Sequence, residues 1–198
     1  MREGGFAPCD PQDTCKKKMG MTVWVALLRA VNVSGVNRLP MAEFRDALDA
    51  SGLRGAKTYV QSGNAVFRSD KAAPALAGQI ADIVLKGFGF RPPVLMLSRA
   101  EIDAALAGNP YKGEPGDKVH FFFLERDLPR ATGDFLRSMA APSERYFYRG
   151  KVLWLHLPDG IGRSKLAQRV GALPIDITAR NMKTVEALAA MAAKAEVP

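Results

Sequence analysis

The hydrophobic pattern becomes regular at Thr22. From there to Leu28 the chain is apolar on both faces, with Val23, Val25 and Leu27 alternating with Trp24, Ala26 and Leu28, which predicts a strand covered on both sides. After a loop rich in Asn, Ser and Gly, Pro40 opens a helix in which Met41, Phe44 and Leu48 share one face, and Gly52 closes it. Lys57 to Gln61 and Asn64 to Arg68 read as two short strands joined by Ser62-Gly63 as a two-residue turn. Leu76, Ile80, Ile83 and Val84 stripe a second helix, and Val94 to Leu97 form a short apolar strand. Ser98-Arg-Ala-Glu101 is the start of a capped helix that ends at Gly108. Strand, helix, hairpin, helix, strand is the β-α-β-β-α-β order of the ferredoxin-like fold.

A similar order recurs after the connecting segment Gly108 to Gly116, which carries Asn109-Pro110 and Glu114-Pro115-Gly116. It predicts a strand from Val119 to Leu124 and a helix around Phe135, Leu136 and Met139. A hairpin of Tyr146 to Tyr148 and Val152 to Leu157 then turns at Arg149-Gly150. A helix from about Ser164 to Val170 stops at Gly171, and a last helix carries Val185, Leu188, Met191 and Ala192 on one stripe. The expected class is α+β, with two packed subdomains. One is ferredoxin-like over residues 21–108, and the other is a related βαββα arrangement with a C-terminal helix over residues 117–198. The first strand of each half is apolar on both faces, so the sheet surface that helices leave open is expected to pack against the other half.

Composition narrows the class without naming an activity. The 198 residues hold 47% hydrophobic and 24% charged side chains, as in an ordinary globular protein. No stretch approaches the roughly 20 apolar residues of a membrane span. Both cysteines, Cys9 and Cys15, fall in the first twenty residues, away from any histidine and without metal-ligand spacing. Residues 1–20 lack an apolar secretory core and read as a disordered extension, in which Lys16, Lys17 and Lys18 are either a solvated run or a nucleic-acid tail. A cytoplasmic protein is therefore expected. The net charge of +8 favours anionic partners in general.

Candidate chemistry gathers at the ends of elements. Arg29 and Asn32 lie in the loop from the first strand to the first helix, where backbone amides and fixed charge can meet an anion, although Asn32, Ser34 and Asn37 also suit internal turn bonds. Gln61 and Asn64 flank the next turn, facing either their own backbone or the first loop. Pro158-Asp-Gly-Ile-Gly-Arg-Ser-Lys165 combines two glycines with Arg163, Ser164 and Lys165 at a helix mouth. That pattern fits a phosphate contact, or a turn in which Ser164 caps the helix and two cations are solvated. The P-loop spacing is absent. Thr178 to Thr184 is expected to open the last helix with Arg180 and Lys183 on one side of its first turn, two cations against the helix dipole that a bound anion would relieve. His120 and His156 sit inside strand patterns and read as structural residues more readily than as bases or metal ligands.

Five of these segments together resemble a known group. Leu27-Leu-Arg-Ala-Val-Asn-Val-Ser-Gly35, Thr58-Tyr-Val-Gln-Ser-Gly-Asn64, Asn109-Pro-Tyr111, Gly162-Arg-Ser-Lys-Leu166 and Thr178-Ala-Arg-Asn181 resemble, in order and spacing, the bacterial family catalogued as domain of unknown function 1697. The resemblance spans about Thr22 to Ala193 and implies a two-subdomain α+β protein with ferredoxin-like character; it implies no substrate. Ala30 stands where the family usually has Gly, and Met182 where it often has Trp.

The expected function is binding of a phosphate-bearing or other anionic small ligand in a cleft between the subdomains. Its contacts would come from Arg29, Asn32, Gln61, Asn64, Arg163, Ser164, Lys165, Arg180 and Asn181, with no metal or cofactor called for. An enzyme acting on a phosphorylated small molecule, with Lys165 or Arg180 stabilising developing charge, is the alternative, although no general base can be assigned. Non-specific nucleic-acid binding through the positive field ranks below both. A purely structural role for the motifs predicts that they are buried and bonded within the protein.

Overall fold

A computed structural model describes residues 21–33, 35–129 and 132–196. Ser34, Cys9, Cys15 and the run Lys16 to Lys18 lie outside the described residues, and the readings that rest on them are not taken further. The elements run β1 (Thr22–Leu28), α1 (Met41–Ala50), β2 (Arg54–Tyr59), β3 (Asn64–Ser69), α2 (Ala73–Phe88), β4 (Val94–Ser98) and α3 (Arg99–Ala107). They continue with β5 (Val119–Leu124), α4 (Thr132–Met139), β6 (Arg145–Arg149), β7 (Val152–His156), α5 (Lys165–Gly171), β8 (Ile177–Asn181) and α6 (Met182–Glu196).

Two four-stranded antiparallel sheets result, ordered β2-β3-β1-β4 and β6-β7-β5-β8. Each is the strand order of a β-α-β-β-α-β unit, so the second half is fuller than the sequence pattern indicated. The difference lies in residues 177–184. They were expected to open the last helix, but Ile177–Asn181 pair with β5 as strand β8, and α6 begins only at Met182. Ile177 packs on the outer face while Thr178 and Arg180 are buried, a period of two that tertiary pairing imposes on a short polar run.

Alternation along β1 and β5 builds three layers of core. Val23, Val25 and Leu27 face inward with Val119, Phe121 and Phe123, and between them lie α3 and α6, which contribute Ile102, Val185 and Leu188. Ala26 and Leu28 face outward to Phe44, Leu48, Leu76 and Ile80 of α1 and α2. Phe122 and Leu124 face outward to Leu136, Leu166 and Val170 of α4 and α5. The inner faces of both sheets are thus covered by the opposing half and by the two central helices, in agreement with the fully apolar strands.

Local signals explain most boundaries. Ser98 Oγ accepts from the Glu101 amide while the Glu101 carboxylate accepts from the Ser98 amide, a complete capping box for α3. The β2–β3 loop holds four residues, Val60 to Gly63, instead of the expected two, because the Asn64 side chain bonds Tyr59 O and Ser62 Oγ and draws the loop inward. Gly63 cannot be replaced freely there: its φ is +72°, and a Cβ would lie 2.4 Å from Val31 Cγ2. The β6–β7 turn is Gly150-Lys151, one residue later than expected.

Candidate functional site

The predicted site residues do not form one hollow. Arg180 points from β8 into the interface between the sheets and is 8% exposed. Its Nε donates to Asn64 Oδ1 at 2.5 Å, Nη1 to Thr178 Oγ1 at 2.8 Å and Ala179 O at 2.7 Å, and Nη2 to Leu28 O at 2.8 Å and Ser62 O at 2.7 Å. All five N–H groups of the guanidinium are therefore used on neutral oxygens of the protein. Burial pushes its pKa down to about 10, so it stays charged at neutral pH. Arg180 and Asn64 do meet, as expected, but as a bolt between β8 and the β1–β3 end of the first sheet.

Of the other residues, Asn32, Ser164, Asn181 and Arg29 bond within the protein, whereas Arg163 and Lys165 stand exposed. The Asn32 amide donates to Leu39 O and Gln61 O and its Oδ1 accepts from the Leu39 amide, tying the first loop to the second. Gln61 takes part through its backbone. Asn181 Oδ1 accepts from the Thr184 amide and caps α6, as Ser164 Oγ accepts from the Ala167 amide and caps α5. Arg29 donates to Gly171 O at 3.0 Å, with Asp176 3.7 Å away, at the C-terminal end of α5. Arg163 and Lys165 stand exposed at its other end, roughly 10 Å along the helix by its seven-residue length. Lys183 pairs with Asp117 at 3.2 Å and shares no helical turn with Arg180. The two departures from the family pattern are also explained. Ala30 has φ +55°, a left-handed conformation that suits the usual Gly, and Met182 is buried with its Sδ 3.1 Å from Asn109 Nδ2, out of reach of a ligand.

Both histidines are buried. His156 Nδ1 accepts from Arg145 and its Nε2 lies 3.4 Å from Glu114 Oε2, which fixes the Nε2–H tautomer when the ring is neutral. Arg145 also bonds Glu114 and sits 5.3 Å over the Tyr111 ring, so this group ties the 109–118 connection to β6 and β7. The Arg145 guanidinium holds the Glu114 carboxyl below its usual range, and burial raises the Tyr111 phenol. Among the described residues the His120 Nδ1 has no hydrogen-bond partner, and burial lowers its pKa.

Space for a ligand lies elsewhere, in a cavity of about 900 Å³ between the halves. Its walls are β4 and the alanines of α2 and α3 on one side, and Phe123, Trp154 and the β6–β7 turn on the other. Ala73 and Ala77 are one turn apart on α2 and Ala104 and Ala105 face them from α3, so small side chains leave the room. Trp154 is held in place by its indole N–H, which donates to Ala105 O at 3.2 Å. Arg149, Lys151, Glu101 and Glu125 supply the charge. Glu101 is committed to the α3 cap, and neither Arg149 nor Lys151 makes an ion pair among the described residues. None of the nine expected residues lines this cavity. The sequence carried a partial signal for it, in the cationic flanks of the β6–β7 turn, but which strands form sheet edges is a property of the sheet order.

Known proteins agree with this architecture. A family model described as "Protein of unknown function (DUF1697)" matches residues 21–154. The chain belongs to that family. A solved structure described as that of conserved bacterial protein SP0830 from Streptococcus pneumoniae superimposes with a TM-score of 0.70 at 24% identity, covering 87% of this chain and 99% of that one. That likeness establishes the shared fold. No curated protein matches the chain. None of the described helices is long and apolar enough to cross a membrane.

Proposed function

We propose that the protein binds a ligand with an apolar body and an anionic head in the cleft between its two halves, residues 21–108 and 117–198, in the cytoplasm. The observation that carries this reading is the cavity of about 900 Å³, mostly apolar, with Arg149 and Lys151 beside it and in no ion pair among the described residues. Its volume lies within the range of small-ligand sites, and an apolar wall with a few polar groups is the usual composition of one. A core without cysteine supports the compartment.

Titration calorimetry with decanoate as probe tests the assignment. Arg149→Ala with Lys151→Ala is expected to weaken binding by about 1–3 kcal/mol in total, since both cations are solvent-accessible and their contacts are screened. Unchanged affinity in that variant, or a loss seen instead in Arg163→Ala with Lys165→Ala, would return the site to the loop before α5.

A further inference from the structure

The wall of the cavity formed by β4 is unusual. Val94, Leu95, Met96 and Leu97 all line it. Side chains of successive strand residues point to opposite faces, and here Leu95 packs in the central core while Val94 and Met96 pack against the outer layer. A space touched by all four residues therefore reaches both sides of β4 around its edge. Among the described residues β4 is a terminal strand of its sheet and pairs with β1 alone.

The hydrogen-bond parity of that edge can be read from the pairing. Arg29 N–H donates to Pro93 O at 2.9 Å, and the register places Leu27 opposite Leu95 and Val25 opposite Leu97. Bonded pairs alternate along an antiparallel ladder, so Leu95 and Leu97 exchange their bonds with β1, and the N–H and C=O of Val94 and Met96 turn away from it. Among the described residues those four groups have no hydrogen-bond partner within the protein. Two donors and two acceptors, spaced two residues apart as a strand presents them, thus border the mostly apolar cavity of about 900 Å³.

Resting on the cleft-binding reading, we propose that the occupant is an extended segment of another polypeptide that adds to β4 as a fifth strand of the first sheet. Its apolar side chains would lie against the α2 and α3 alanines and Trp154, and a carboxylate, terminal or side-chain, would meet Arg149 and Lys151. A small acyl anion fills the same space but leaves the four backbone groups of Val94 and Met96 without partners, whereas a strand uses all of them. The charge decides the polarity of the partner, because two cations beside an apolar groove, in no ion pair among the described residues, favour a segment bearing a carboxylate. The four residues Val94 to Leu97 span roughly 13 Å, so the segment is about four or five residues long.

The test is residue-resolved amide hydrogen exchange and calorimetry on the full chain with two probes. One is an acetylated pentapeptide of alternating valine and threonine that ends in a free carboxylate; the other is decanoate. The peptide is expected to slow exchange at Val94 and Met96 at least tenfold while leaving Leu95 and Leu97 unchanged. N-methylation of the peptide amides on one edge should lower its affinity at least tenfold, and methylation of the alternate amides should not. Decanoate bound in the cleft, with the peptide either not bound or bound equally well when methylated on both edges, would overturn strand addition and leave the cleft reading standing. Binding of neither probe would overturn both.

Discussion

Replacing Arg180 with alanine separates an internal bolt from a ligand contact. The substitution removes five hydrogen bonds of 2.5–2.8 Å from a charged donor and strips partners from Leu28 O, Ser62 O and Asn64 Oδ1 at the interface of the two sheets. Hydrogen bonds to charged groups contribute about 1.5–3 kcal/mol each, a gross loss of roughly 7–15 kcal/mol. Burying the guanidinium itself costs several kcal/mol, which the variant recovers, along with whatever water enters the gap. The net destabilisation is expected to be about 3–5 kcal/mol, or roughly 6–20 °C in Tm for a chain of this length. Urea and thermal unfolding of Arg180→Ala measure it directly, with Arg163→Ala, an exposed cation, as the comparison expected to stay within about 0.5 kcal/mol. Arg180→Lys should recover only a fraction, because one ammonium cannot reach oxygens contributed by β1, the β2–β3 loop and β8 together. A loss below about 1 kcal/mol for Arg180→Ala would refute the reasoning, since it would mean that the observed bonds do not hold the halves together.

Three further outcomes are expected. Ala30→Gly should stabilise the protein by about 0.5–1 kcal/mol in urea unfolding, because relief of a left-handed alanine outweighs the added backbone entropy of glycine. Gly63→Ala should destabilise by about 2–5 kcal/mol in the same assay, combining positive φ with the clash on Val31 Cγ2. His120 has a lowered pKa in the folded protein, so below about pH 6.5 the unfolded chain takes up a proton that the native state resists. Stability should therefore fall with pH in that window, and His120→Phe should flatten the fall in pH-dependent denaturation. Glu114, whose pKa is lowered, contributes its own loss only at more acidic pH, as pH falls below about 4.5, which keeps the two effects apart.

The legibility of the candidate site differed sharply from that of the fold. Asn32 and Ser164 are recognisable as residues that bond local backbone, and each does so, tying a loop or capping a helix, whereas Asn181, read only as a ligand contact, caps α6. Arg180 looked like a surface cation because its neighbours Thr178, Asn181 and Lys183 are polar; its burial comes from partners more than a hundred residues away in sequence, which no local pattern records. Arg149 and Lys151 looked like ordinary turn residues for the converse reason: the cavity beside them is made by β4 and α3 of the other half.

The sequence by itself determined the periodic features. It set the order of strands and helices through β4, the double-sided burial of β1 and β5 and the α3 cap, because each depends on side chains within a few residues of one another. Only the tertiary structure decided which strands became edges, that residues 177–181 pair as a strand instead of winding into a helix, which cations were consumed internally, and where empty space remained. Those outcomes depend on the packing of one half against the other, a balance of burial and hydrogen bonding between segments far apart in the chain that local pattern does not encode.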